Sequence, residues 1–244
     1  VGPRKSLTID QTDTDFGTLA YMNFEFQKYA MSDHGVSSLK LHNYEKQIES
    51  SMTPYILEER SLRVTQMDIF SRLMMDRIIW VAGPVNDYMS TIVQAQLMFL
   101  DSVDQTDITM HIDSPGGSVK SGLSMVDVID YVNADIVTVN TGLAASMGSV
   151  LLGAGTKGKR FSLKHARTML HQSSGGCEGN IQDAEVTMTE WKKVNDELFN
   201  LLGKYCGKTP ERVKKDATRD LWLSSEQAVK YGIIDSVILK KPKK

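Results

Sequence analysis

The stretch Thr141–Gly155, TGLAASMGSVLLGAG, sets Ser146 among small and apolar residues, directly after the apolar run DIVTVN. The first run reads as a buried strand, and AASMGSVLLGAG reads as a helix that follows it. A hydroxyl at such a junction has two meanings. It is either a small residue that fills a tight helix–sheet contact, or a nucleophile held where the first N–H groups of a helix have no partner of their own. Ser146 alone does not separate them.

Outward from this junction, strand and helix signals alternate. DRIIWVAG is a short apolar run closed by a turn, and NDYMSTIVQAQLMFLDSV carries Met89, Ile92, Val93, Leu97 and Leu100 at helical spacing. DITMHID is a second strand, closed by SPGGS, after which Val119, Leu123, Val126, Ile129 and Val132 line a helix. RTMLHQ is a further strand, and DAEVTMTEWKKVNDELFNLLGKYCG is a long amphipathic helix stopped by Gly207. In SSEQAVKYG, Ser224 and Gln227 form a capping box and Gly232 ends the helix. Alternation of this kind predicts an α/β fold of βαβ units around a parallel sheet.

Composition narrows the function. The 244 residues carry 28 basic and 30 acidic side chains, a balance that points to neither a nucleic-acid nor a membrane surface. No apolar stretch approaches the roughly 18 residues of a membrane span. Two cysteines, Cys177 and Cys206, make no C-x-x-C, and the five histidines make no H-E-x-x-H; neither a metal site nor a cofactor is expected. VGPRKSLTID lacks the apolar core of a secretory leader, and residues 1–50 hold one arginine against seven acids, unlike a transit segment. A reducing, cytoplasmic setting is the expectation. Residues 1–50 read as a weakly ordered extension or pro-segment, residues 51–240 as the folded domain, and residues 241–244 as a basic tail.

Three further residues and one turn bear on chemistry. His171 ends a buried strand just before the loop SSGG, as a core histidine or as a base facing a cleft. Asp220 and Asp216 each stand near the last capped helix, either in surface ion pairs or as the acid that orients such a base. The turn DSPGGSV lacks both the Walker lysine and the G-x-G-x-x-G spacing, which leaves a tight turn or a backbone approach to substrate. Ser146 is not within G-x-S-x-G, so the hydrolase elbow is not expected.

Taken in order, MDIFSRLMMDRIIWVAGPV, SPGGSV, AASMGSVLLGAGTKGKRF, RTMLHQSSGG and TRDLWLSSEQAVKYGIID resemble the ClpP family, the proteolytic subunits of the Clp proteases. The resemblance covers about residues 51–240. It implies a superhelix of repeated βαβ units, as in the wider ClpP/crotonase group, with a head domain and a protruding strand–helix handle at GGCEGNIQDAEVTMTEWKKVNDEL. It further implies Ser146 as nucleophile, His171 as base, Asp220 (rather than Asp216) as orienting acid, and an oxyanion hole from the N–H groups of Gly117 and Met147. Two stacked heptamers would enclose a chamber, with Arg219 pairing across rings with an acid near Asp183, and an AAA+ unfoldase would feed unfolded polypeptide into it. Pro54 in MTPYI resembles a residue close to the mature start, which places processing around residues 50–52.

The chain departs from the family pattern in four places. Ser173 replaces a proline after the His-Gln pair, and Asp113 replaces an asparagine before SPGG. At the unfoldase-docking face Thr109 and His111 replace tyrosines, whereas Tyr131 and Phe161 remain aromatic. The N-terminal extension is also long. The expected function is a serine endopeptidase that cleaves unfolded polypeptides. The competing readings are a weakly active or structural subunit of mixed rings with a paralogue, and a crotonase-type acyl-CoA enzyme.

Overall fold

A computed structural model describes residues 55–60, 63–175 and 180–240. The extension 1–50, the processing site expected near 50–52 and the tail 241–244 lie outside the described residues. Strands β1 (Tyr55–Arg60) and β2 (Arg63–Asp68) pair antiparallel, with Tyr55 opposite Asp68. They fall in a first unit, and residues 70–244 make a second.

The second unit is built on a seven-stranded sheet. It comprises β3 (Ile78–Ala82), β4 (Ile108–Ser114), β5 (Ile136–Ala145), β6 (Arg160–Leu163), β7 (Arg167–Leu170), β8 (Leu221–Ser224) and β9 (Ser236–Ile238). The helices are α1 (Ile69–Met75), α2 (Asp87–Val103), α3 (Val119–Tyr131), α4 (Met147–Gly153), α5 (Ile181–Cys206), α6 (Pro210–Asp216) and α7 (Ser225–Tyr231). β3, β4 and β5 lie side by side in parallel, joined by α2 and α3 as βαβ crossovers. No described helix is long and apolar enough to cross a membrane.

β5 decides the layout. Its ten residues are long enough to pair β6 through Thr138–Asn140 and then β7 through Leu143–Ala145 on the same edge. The sheet therefore forks, with β9 continuing beyond β6 and β8 pairing antiparallel with β7. One face buries Ile79, Val81, Ile108, Met110, Ile112 and Ile136 against Val93, Leu97 and Leu100 of α2 and Met125, Val126 and Ile129 of α3. Ile92, expected on the packed face of α2, points outward.

The helix ends follow local chemistry. Ser224 and Gln227 form the expected capping box, and Gly207 and Gly232 end α5 and α7 in the left-handed region that glycine tolerates. The Arg160 side chain is 1% exposed; it donates to the Tyr205 and Gly232 carbonyls and to both oxygens of Asp235. One buried guanidinium thus ties two helix ends to β6. The α5 segment is the helical part of the expected handle; residues 176–179 lie outside the described residues.

Candidate active site

Strand ends assemble the site. β5 runs through Ala145, so the helix starts at Met147 and not at Ala144 as the apolar pattern suggested. Ala145 pairs with Met169 on β7, and the Ser146 N–H donates to the Met169 carbonyl at 2.9 Å, one step past that register. His171 leaves β7 two residues later, beside the serine. In the antiparallel β7–β8 pair Leu170 faces Leu221, so the next residues outward are His171 and Asp220. Three neighbouring strands therefore deliver serine, histidine and acid to one corner.

His171 Nε2 lies 2.8 Å from Ser146 Oγ, and His171 Nδ1 lies 3.6 Å from Asp220 Oδ1, beyond hydrogen-bond length. The Asp220 side chain is 58% exposed, against 25% for His171. Asp216 is engaged elsewhere, with Arg212 at 2.9 Å and the Tyr231 hydroxyl. The two acids left open by pattern are thus separated by position.

Ser146 has φ +53° and ψ −123°, a conformation that non-glycine residues avoid. The expectation that no hydrolase elbow forms needs correction: the G-x-S-x-G motif is absent, yet the strained strand-to-helix corner is present. Glycines make room for it. A Cβ on Gly116 would lie 2.6 Å from Ser146 Cβ and 2.9 Å from the Met147 nitrogen, and one on Gly148 would meet the Ser114 carbonyl at 2.9 Å. Gly117 extends the same turn, bridged to Val85. Among the described residues, neither the Gly117 nor the Met147 N–H donates to another backbone group. The two glycines of SPGG read in the sequence as a tight turn or a backbone approach to substrate, but the close packing of Gly116 on Ser146 and of Gly148 on Ser114 has no signal there.

Away from this corner, Thr109, His111 and Phe161 share the other face of the sheet. Trp80, His111, Val139 and Phe161 form one row across four strands, and Trp80 stacks on His111 at 4.8 Å. Tyr131, 75% exposed, stands apart at the end of α3, which packs on the opposite face. Asp183 takes up the side chain and backbone of its own helix start, with the Asn180 cap at 2.6 Å, and Arg219 is exposed.

A serine on a strained turn and a histidine in contact with its hydroxyl, on an α/β frame, have the form of a serine peptidase. A family model described as Clp protease matches residues 60–241. The chain is 46% identical over 220 residues to the ATP-dependent Clp protease proteolytic subunit of Porphyromonas gingivalis, covering 90% of this chain and 99% of that one. It is 46% identical over 218 residues to the protein of the same name from Bacteroides fragilis strain YCH46, and 45% identical over 218 to that of Bacteroides thetaiotaomicron. Each alignment covers 89% of this chain and 99% of the relative. The chain belongs to the Clp protease family.

Proposed function

We propose that this chain is the proteolytic subunit of an ATP-dependent Clp protease, a serine endopeptidase in which Ser146, His171 and Asp220 act as a triad. The 2.8 Å contact between Ser146 Oγ and His171 Nε2 carries the reading. His171 takes the hydroxyl proton as Ser146 attacks the peptide carbonyl, and the imidazolium then protonates the leaving amine. The N–H groups of Gly117 and Met147 receive the charge that develops on the carbonyl oxygen. Water, deprotonated by His171, frees the acyl product and restores Ser146.

The wider reading is a ring particle in a cytoplasmic setting that needs no cofactor. Two heptamers of this chain, or mixed rings with a paralogue, enclose the active sites, with Arg219 and Asp183 at the ring–ring contact. An AAA+ unfoldase docks on the face of Thr109, His111 and Phe161, with Tyr131 supplied by a neighbouring copy. The separation of Tyr131 from the other three within one chain supports that last assignment.

The test is labelling with a fluorophosphonate, read by intact mass on wild type and Ser146→Ala. One adduct on wild type and none on the variant is expected. An unlabelled wild type, or labelling of both, rejects Ser146 as nucleophile.

A further inference from the structure

A hollow beside Ser146 and His171 is walled by Met147 and Val150 of α4 and by Asn195, Leu198, Phe199 and Leu202 of α5. The four α5 residues follow helical spacing and share one face. Leu198, Phe199 and Leu202 are buried and make an apolar floor, while Asn195 is half-buried, one turn nearer the rim. The hollow holds about 20 Å³, scarcely more than one water, so it takes the tip of a side chain whose stem stays at the rim.

The orientation of Asn195 follows from its partner. The Ser173 N–H and the Ser173 Oγ both approach Asn195 Oδ1, at 3.0 and 2.9 Å. A backbone N–H only donates, so the carboxamide atom that faces it is the oxygen. The NH2 group is left on the other side, and no described residue accepts from it. A proline at 173, as the family pattern has, would offer neither donor and would leave this amide free to turn.

We infer that Asn195 is a specificity-determining residue: its NH2 donates to a side-chain oxygen of the substrate residue whose carbonyl is attacked. That residue is asparagine, threonine or serine in preference to an apolar side chain of equal size. An apolar side chain would cover the NH2 without pairing it, and an unpaired buried donor is costly. The inference rests on Ser146 being the nucleophile.

The experiment uses peptidyl diphenyl phosphonates that differ only at this residue, asparagine against leucine and threonine against valine. The rate of covalent modification is followed by intact mass. Wild type should favour asparagine and threonine by about three- to tenfold, the worth of one neutral hydrogen bond. Asn195→Ala removes the NH2 without supplying an acceptor to which asparagine or threonine could donate, and should bring both ratios to one or below. Ser173→Pro, which leaves Asn195 in place, should lower them toward one and serves if Asn195→Ala does not fold. Ratios equal across wild type and variants, or a wild type that favours leucine, overturn the inference. A small fluorophosphonate separates the two readings. No adduct on wild type removes the nucleophile and this inference with it, whereas an adduct with flat ratios removes the inference alone.

Discussion

The Asp220 carboxylate stands 3.6 Å from His171 Nδ1, while the other ring nitrogen is already in contact with Ser146 at 2.8 Å. The proton-accepting contact is made and the orienting one is open. An acid more than half exposed and not hydrogen-bonded contributes less to holding the ring than a buried partner does. Ser146→Ala should cut peptide hydrolysis by several powers of ten, and His171→Ala by a similar factor. Asp220→Asn should cost roughly one to two powers of ten less. Turnover of a fluorogenic peptide by the three variants checks the order; an Asp220→Asn loss equal to that of Ser146→Ala would show the third contact closed in the working particle.

Gly116 makes the strained corner possible. A methyl there collides with Ser146 Cβ and with the Ala145 carbonyl at 2.7 Å, and φ +90° already disfavours any side chain. Two of the obstructing atoms are backbone and the third is a Cβ fixed to it, so none can swing aside, and Ser146 or the Met147 N–H must move. Displacements of about 1 Å at such a centre cost roughly a hundredfold. Gly116→Ala should therefore lose most peptidase activity while circular dichroism stays folded. Gly158→Ala is the control, since its φ is +89° but its Cβ would meet nothing within 4 Å. Equal activity in the two variants would count against the steric account.

Much of this site was legible in the sequence, and the limits have physical causes. Ser146 and His171 stood in recognisable motifs; pattern alone left Asp216 and Asp220 open, the family resemblance favoured Asp220, and the strand register that sets Leu170 against Leu221 puts Asp220 next to His171. The end of β5 was misplaced because Gly142, Ala144 and Ala145 carry no alternating pattern; pairing with β7 keeps them extended. β6, β8 and β9 are three or four residues long, too short for a period to show. Asn195 drew no separate reading within the long amphipathic helix, and its partner Ser173 is 22 residues away, beyond the reach of any local pattern.

Arg160 and Asp235 give acid sensitivity. Burial pushes the Asp235 carboxyl up, but hydrogen bonds from the Arg160 side chain and backbone, its charge, and the Gly158 N–H outweigh that and hold it at about 2, against an ordinary 3.8. A depressed carboxyl stabilises the folded state above its unfolded value and loses that contribution as pH falls through the folded one. The pair should contribute about 2 kcal/mol at neutral pH, lost between about pH 4 and pH 2. Asp235→Asn leaves a buried guanidinium without its counter-charge and should destabilise by roughly 3–5 kcal/mol at pH 7. Urea unfolding across this pH range should show the gap to wild type narrowing as the solution acidifies. A gap that is constant with pH would exclude the ion pair as its source.

The face proposed for unfoldase docking, with Thr109, His111 and Phe161, has the largest departure from the family pattern. Burying one apolar side chain of an unfoldase loop contributes on the order of 1.5–3 kcal/mol when the pocket wall is apolar. Thr109 and His111 present less apolar area in that wall than tyrosines would, so an unfoldase loop buries less against it. Trp80 stacks on His111 and restores some aromatic surface at the row's edge, but the position beside Ile78 stays a threonine. Each pocket should bind weakly, with avidity across a ring recovering part of the loss. The double variant Thr109→Tyr/His111→Tyr should accelerate ATP-dependent degradation of a folded substrate by homomeric rings, while hydrolysis of a short peptide changes little. Trp80→Ala should act in the opposite direction. Tight unfoldase binding by the unmodified homomer, with no gain in the tyrosine variant, would sink the idea that a second subunit supplies the stronger face.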